Sequence, residues 1–156
     1  MLTFEDVELL KSLDIYRACM PSNLNNIGMV VKELICSIQN SYGKVNDSTL
    51  FELQVILNEV MINAVRHGNR EDESKHVIVQ AGVSGQNVMF IIVEDEGGGY
   101  NFSDTCSCRK PYCEVTDPLD ISESGRGIMI IRSLCDIVKV NAKGNKIVIL
   151  KSIARA

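Results

Sequence analysis

The stretch NEVMINAVRHGN, residues 58–69, decides how this chain is read. It closes a longer pattern in which Leu50, Leu53, Leu57, Met61 and Ala64 recur at helical spacing, with Asn46, Asp47 and Ser48 upstream offering N-cap chemistry. That stripe is the expected core face. Glu59 and Asn63 stand four apart, so they project side by side on a different face, roughly in line with Glu52, Arg66 and Arg70. Val55, Ile56 and Ile62 are apolar neighbours, which predicts a helix covered on most sides and a carboxylate in need of a partner.

Taken alone, Glu59 and Asn63 are what any amphipathic helix displays as its polar stripe. A sharper reading makes Asn63 a hard oxygen ligand for Mg2+ and Glu59 a general base. Magnesium favours oxygen donors, keeps several waters, and usually takes one or two protein ligands beside substrate phosphates.

Downstream, residues 88–93 form a continuous apolar run expected of a buried central strand, and EDEGGG follows at residues 94–99. Asp95, Gly97 and Gly99 therefore stand where a strand ends and the chain turns, and the glycines let a ligand approach the backbone. A plain glycine turn explains the string by itself; alternatively, Asp95 is placed to accept a hydrogen bond from an exocyclic amine such as that of adenine. A third string, SGRGI at residues 124–128, sets Gly125 and Gly127 ahead of the apolar residues Ile128, Met129, Ile130, Ile131 and Leu134. Unshielded amides at a helix N-terminus, aided by the helix dipole, bind phosphate, and Arg126 adds a positive charge at the same end.

The remaining pattern supplies a scaffold. Residues 3–13 suit a short amphipathic helix, 14–20 an edge strand, and 23–40 a helix through Ile27, Val30, Val31, Leu34, Ile35 and Ile38. Strands at 76–83 and 87–95 are joined by SGQ as an antiparallel hairpin, a helix runs over 127–135, and strands at 136–142 and 146–153 turn around KGN. This order predicts a two-layer α/β sandwich with a mixed, mainly antiparallel sheet and helices on one face. No repeat or linker interrupts it, so residues 1–156 read as one domain.

The chain has 156 residues, enough for a real core, and a net charge of −4. That charge, with no basic cluster, argues against a nucleic-acid surface. The N-terminus shows acidic residues where a signal peptide has basic ones, and no run is long enough for a membrane span, so a cytoplasmic protein is expected. Six cysteines are then expected to be reduced thiols rather than a disulfide framework. Among them, Cys19, Cys36 and Cys135 fall in helix or strand patterns and are expected in the core.

The three strings in this order resemble the three nucleotide-binding boxes of the GHKL, or Bergerat-fold, ATPases. Glu59 and Asn63 match ExxxN, Asp95, Gly97 and Gly99 match DxGxG, and Gly125 and Gly127 match GxG. Within that superfamily NEVMINAVRHGN and ESGRGIMIIRSLCD are most similar to the small bacterial anti-sigma-factor serine kinases. The resemblance covers the chain from about Asp14 onward. It implies ATP with its adenine amine on Asp95, phosphates on the amides around Gly125 and Gly127, Mg2+ on Asn63, and Glu59 as the base that deprotonates a substrate serine. It also implies partners: a sigma factor held inactive, an anti-anti-sigma protein of the STAS type as phosphoacceptor, and a second copy of the kinase in a homodimer. The γ-phosphate contact is left among Arg126, Arg109 and Lys110. A non-catalytic ATP-binding module that sequesters a sigma factor, or a kinase of a STAS signalling scaffold, are the competing readings.

The polar segment at about residues 100–123 lacks sustained periodicity and lies between the glycine boxes, where the superfamily carries its ATP lid. Its thiols Cys106, Cys108 and Cys113 lack the spacing and fourth ligand of a structural zinc site, so incidental loop cysteines or a redox-sensitive lid are preferred readings. His67 follows Asn63 by four; lining the nucleotide pocket is one reading, and a helix-terminal or packing role is the preferred one. Two departures from the family pattern stand out. Glu123 occupies a position where sporulation-type members carry arginine, and Asn145 and Lys146 replace threonines usual near the adenine.

Overall fold

A computed structural model describes residues 3–85, 87–97, 112–114 and 125–155. The expectations attached to Gly99, Cys106, Cys108, Arg109, Lys110 and Glu123 lie outside the described residues, as do the side chains of Cys113 and Arg126.

Helix α1 spans Phe4–Ser12 and is started by a capping box in which the side chains of Thr3 and Asp6 each accept the other's backbone N–H. Edge strand β1 (Tyr16–Pro21) follows, then a single 3-10 turn (Leu24–Asn26) and helix α2 (Ile27–Tyr42), which ends at Gly43 with φ of 122°. Helix α3 (Asp47–Asn63) begins where the Asn46 side chain accepts the Thr49 N–H at 2.9 Å. It runs on without a break into a π turn (Ala64–Gly68), a form of helix often found at functional sites. Arg70 and Glu71 then adopt left-handed φ values of 53° and 57°, which reverse the chain into β2.

Strands β2 (His76–Ser84), β3 (Val88–Glu94), β4 (Tyr112–Glu114), β5 (Ile137–Asn141) and β6 (Lys146–Ser152) complete the sheet, with helix α4 (Gly125–Leu134) between β4 and β5. The strand order is β1-β2-β3-β6-β5-β4, and every neighbouring pair is antiparallel. Both expected hairpins form, β2-β3 and β5-β6.

The two-layer α/β sandwich holds, with three corrections to the sequence expectation. The sheet is antiparallel throughout its described strands rather than mixed. Residues 112–114, expected within an irregular lid, pair with β5 as an edge strand, Cys113 opposite Val140; three residues are too short a run to show periodicity. Finally, the helices do not all share one face. Helices α2, α3 and α4 cover the side presenting Val77, Val79, Met89, Ile91, Val93 and Ile149, whereas α1 sets Val7 and Leu10 against Phe90, Ile92 and Val148 on the reverse side. Alternation explains this, since Phe90 and Ile92 point away from Met89 and Ile91 along the same strand.

The thiols need correcting too. Cys19 and Cys36 are exposed, one on the outward side of the edge strand and one on the solvent face of α2, and Cys135 is half-buried. Burial pushes the Cys135 thiol up to about 12. Among the described residues, no helix is long and apolar enough to cross a membrane.

Candidate functional site

The helical stripe behaves as its spacing predicts: Leu53, Leu57, Met61 and Ala64 are buried, and Leu50 packs against them. Glu59 and Asn63 leave the helix on the side where α4 lies. The contact is close, because a Cβ placed on Gly127 would stand 2.6 Å from Glu59 Oε2, 3.2 Å from Asn63 Nδ2 and 3.5 Å from Asn63 Oδ1. Two strings remote in sequence thus meet at one point, where a side chain at position 127 would have to push the Glu59 carboxylate aside. Gly125 is the first residue of α4, so the helix starts two residues earlier than its apolar pattern implied.

Asp95 follows the end of β3 and is buried, 6% exposed. Its Oδ1 accepts the Gly97 N–H at 2.8 Å. Backbone and side chain of Asn145, in the β5-β6 turn, clamp it from the other side: Asp95 N donates to Asn145 O at 2.9 Å, and Asn145 Nδ2 donates to Asp95 O at 3.0 Å. Burial raises the Asp95 carboxyl to about 6; Glu94 adds to the rise, while the Gly97 amide, Lys143 and Lys75 oppose it. A carboxylate so placed has a strong incentive to receive a donor from a ligand.

Asn63 and Asp95 line one narrow cavity together with Val60, Ala64, Val93, Ile128, Val140 and Ile147. Its walls are apolar apart from these polar groups and the Gly144 to Lys146 turn, the composition expected of a site for a flat, partly apolar ring. At about 30 Å³ it holds little more than a water in this conformation.

Two residues of the first string escaped the sequence reading. Gly68 lies so near Asp95 that a Cβ there would meet both the carboxylate carbon and Oδ2 at 2.3 Å, and its carbonyl oxygen would be 1.9 Å from a Cβ on Gly97. Asn69, 1% exposed, accepts the Glu96 N–H at 2.8 Å and donates to Ser22 Oγ at 2.7 Å and to the His76 carbonyl at 2.9 Å. It binds the π turn, the end of β1, the start of β2 and the turn after Asp95 into one frame. The signal was present as HGN closing the string, but its partners are remote in sequence.

His67 and Arg66 are exposed on the π turn, and Arg70 is exposed just beyond it. Among the described residues, no group of three or more His, Cys, Asp or Glu side chains is gathered to hold a metal. Glu59 and Asn63 are the oxygen-bearing side chains that stand beside Gly127.

An antiparallel sheet covered by three helices thus carries a polar pair on one helix, a buried aspartate past a strand end and a glycine-started helix beside the pair. Residues 20–151 match the histidine kinase-like ATPase domain, and the chain belongs to that family. It is 26% identical over 121 residues to the serine-protein kinase RsbW of Bacillus subtilis, covering 78% of this chain and 74% of the relative. It is 30% identical over 105 residues to an anti-sigma F factor of Clostridium perfringens, covering 65% of this chain and 71% of the relative. In fold it is similar to the RsbU and RsbW domains of Rv1364c from Mycobacterium tuberculosis, with a TM-score of 0.60 and 16% identity, over 90% of this chain and 33% of that longer one.

Proposed function

We propose that this protein is an ATP-dependent serine protein kinase that also acts as an anti-sigma factor, holding a sigma factor inactive and phosphorylating a STAS-type anti-anti-sigma protein. The observation that carries the reading is the contact of Gly127 with Glu59 and Asn63. It sets the start of α4 beside the Glu59 carboxylate and the Asn63 amide, an arrangement suited to the positioning and charge neutralisation of phosphoryl transfer. The names of the RsbW and anti-sigma F relatives support the kinase and sigma-binding parts.

In this reading Asp95 accepts the adenine amine, with Gly97 and Gly99 leaving room for the base. The amides from Gly125 to Gly127 face the phosphates, Arg126 adds charge, and Asn63 with phosphate oxygens holds Mg2+. Asn63 suits magnesium because its oxygen is hard and uncharged, leaving the cation's charge for the phosphates. Bound Mg-ATP supplies the phosphoryl group and the cation that neutralises charge as it transfers. Glu59 takes the proton from the substrate serine hydroxyl. A purine is larger than the present cavity, so its entry requires the walls to widen. The segment at about residues 100–123 serves as lid in a single domain over 1–156, and the protein works as a cytoplasmic homodimer.

The test is incubation with Mg-ATP and candidate STAS proteins, read by mass spectrometry for phosphoserine, with ATP binding followed separately. Wild type transfers phosphate; Glu59→Ala retains ATP binding and loses at least about a hundredfold in rate. Transfer by Glu59→Ala at the wild-type rate removes Glu59 as the base. A wild type that binds ATP and captures a sigma factor, yet modifies no STAS protein, is a binding module instead.

A further inference from the structure

The last strand carries a buried cation that the nucleotide reading does not use. Lys151 is 7% exposed, and its ammonium donates to Glu52 Oε2 at 2.6 Å and to the Leu134 carbonyl at 2.6 Å. Glu52 lies on α3 two turns before Glu59, and Leu134 is the last residue of α4. The site therefore joins three elements, and it does so at the end of α4 opposite Gly127.

The terminal carbonyls of a helix lack partners within it, and the negative end of the helix dipole lies there. Lys151 satisfies one of those carbonyls and neutralises the pole. Of the other acidic groups nearby, Asp136 feels the Lys151 charge but is not hydrogen-bonded to it. The Asp136 carboxylate accepts the Ser152 N–H at 2.6 Å, and the Cys135 thiol, raised by burial, stays protonated at neutral pH. Glu52 is thus the anion that orients Lys151. Without the ammonium, the Glu52 carboxylate and the Leu134 carbonyl would oppose each other across the same gap, and contact would turn to repulsion.

We propose that Lys151, oriented by Glu52, is a positioning residue that pins the C-terminal end of α4 to α3 and so returns its glycine-bearing N-terminal end to Glu59 and Asn63. The inference rests on the reading of Gly125 to Gly127 as the phosphate site. Helix α4 has 10 residues, a rod of roughly 15 Å, so a tilt at Leu134 displaces Gly127. Close contact at Gly127 leaves no side chain to correct such a tilt locally. Adenine recognition rests on Asp95, just after β3, and on the β5-β6 turn; α4 gives that cavity only the apolar wall residue Ile128.

Two measurements on Lys151→Met, with Lys151→Arg as the conservative variant, test this. In nucleotide-free protein, hydrogen exchange at α4 amides from Ile128 to Ile131 is expected to quicken at least about tenfold in Lys151→Met, while α2 amides keep their wild-type rates. Affinity for Mg-ATP is expected to fall about tenfold, with adenosine binding, followed by ligand-observed NMR, within about twofold of wild type. Lys151→Arg restores most of the ATP affinity. If ATP and adenosine weaken together, or neither changes, Lys151 does not position the phosphate site. Faster α4 exchange in a protein whose wild type binds no ATP overturns the nucleotide reading, and the positioning role falls with it. Unchanged exchange with normal wild-type ATP binding overturns the clamp alone. Should Lys151→Met fail to fold, Glu52→Leu is read in the same two measurements against the same outcomes.

Discussion

Asp95 shows how a site residue is held at the expense of stability. Its carboxyl is raised from 3.8 to about 6, so between those values the folded state binds a proton that the unfolded state has released. Stability therefore falls as pH rises from about 4 to about 6 and carries the full penalty above that window, on the order of 3 kcal/mol. Asp95→Asn keeps an oxygen for the Gly97 amide and removes the charge. The variant is expected to be more stable than wild type by about that amount at pH 7, with the advantage vanishing below pH 4, and to lose nucleotide binding. Urea denaturation of both proteins across pH, differenced to cancel the oppositely shifted Asp6, Asp72 and Asp136, checks the sign. An advantage that grows toward acid pH would refute the assignment. Gly68 gives the complementary residue-level test. Gly68→Ala would drive a methyl into the Asp95 carboxylate at 2.3 Å, and a loss of about 2–3 kcal/mol is expected in the same denaturation experiment.

Among the elements, the α3 helix and its π turn divide into a part that only supports and a part that shapes the site. Asn46→Ala removes an N-cap bond at the far end and is expected to cost about 1 kcal/mol in thermal unfolding with nucleotide affinity unchanged. Asn69→Ala removes three side-chain bonds of a buried amide. It is expected to cost about 2–3 kcal/mol and also to weaken adenosine binding, because the Glu96 amide it holds adjoins Asp95. Equal behaviour of the two variants toward adenosine, measured by NMR titration, would show that the turn is not part of the base site. This contrast also marks what the sequence could convey. Glu59, Asn63, Asp95 and Gly127 were legible because their types recur at spacings with a local meaning: one helical turn, one strand end, one helix start. Gly68 and Asn69 were not, since their contacts with Asp95, Glu96 and Ser22 reach across 27 residues or more. The hairpins were legible from their turns, whereas the three-residue strand at Tyr112 offered too little pattern to register.

At the scale of the whole molecule, the distribution of helices over the two sides of the sheet was the feature that pattern reading missed. Alternation along β3 predicts two apolar faces once residues 88–93 are all hydrophobic, but it does not say which helix takes which face. The structure resolves this with a small device. Gly82 on β2 lets Phe90 and the Leu13 carbonyl at the end of α1 come within 2.6 and 2.7 Å of where its Cβ would be. Helix α1 thereby lies down on Phe90, Ile92 and Val148, and the sheet separates it from the helices that hold Glu59, Asn63 and Gly127. Coverage of the reverse face and construction of the site are then independent contributions to one fold. Val7, 1% exposed beneath α1, provides the test. Val7→Asp buries an unpaired carboxylate and is expected to lower unfolding free energy by roughly 3 kcal/mol. The fraction that remains folded should bind Mg-ATP within about twofold of wild type by calorimetry. A tenfold loss of affinity in folded Val7→Asp would mean that the reverse face shapes the nucleotide site through the sheet, and that the two faces cannot be treated apart.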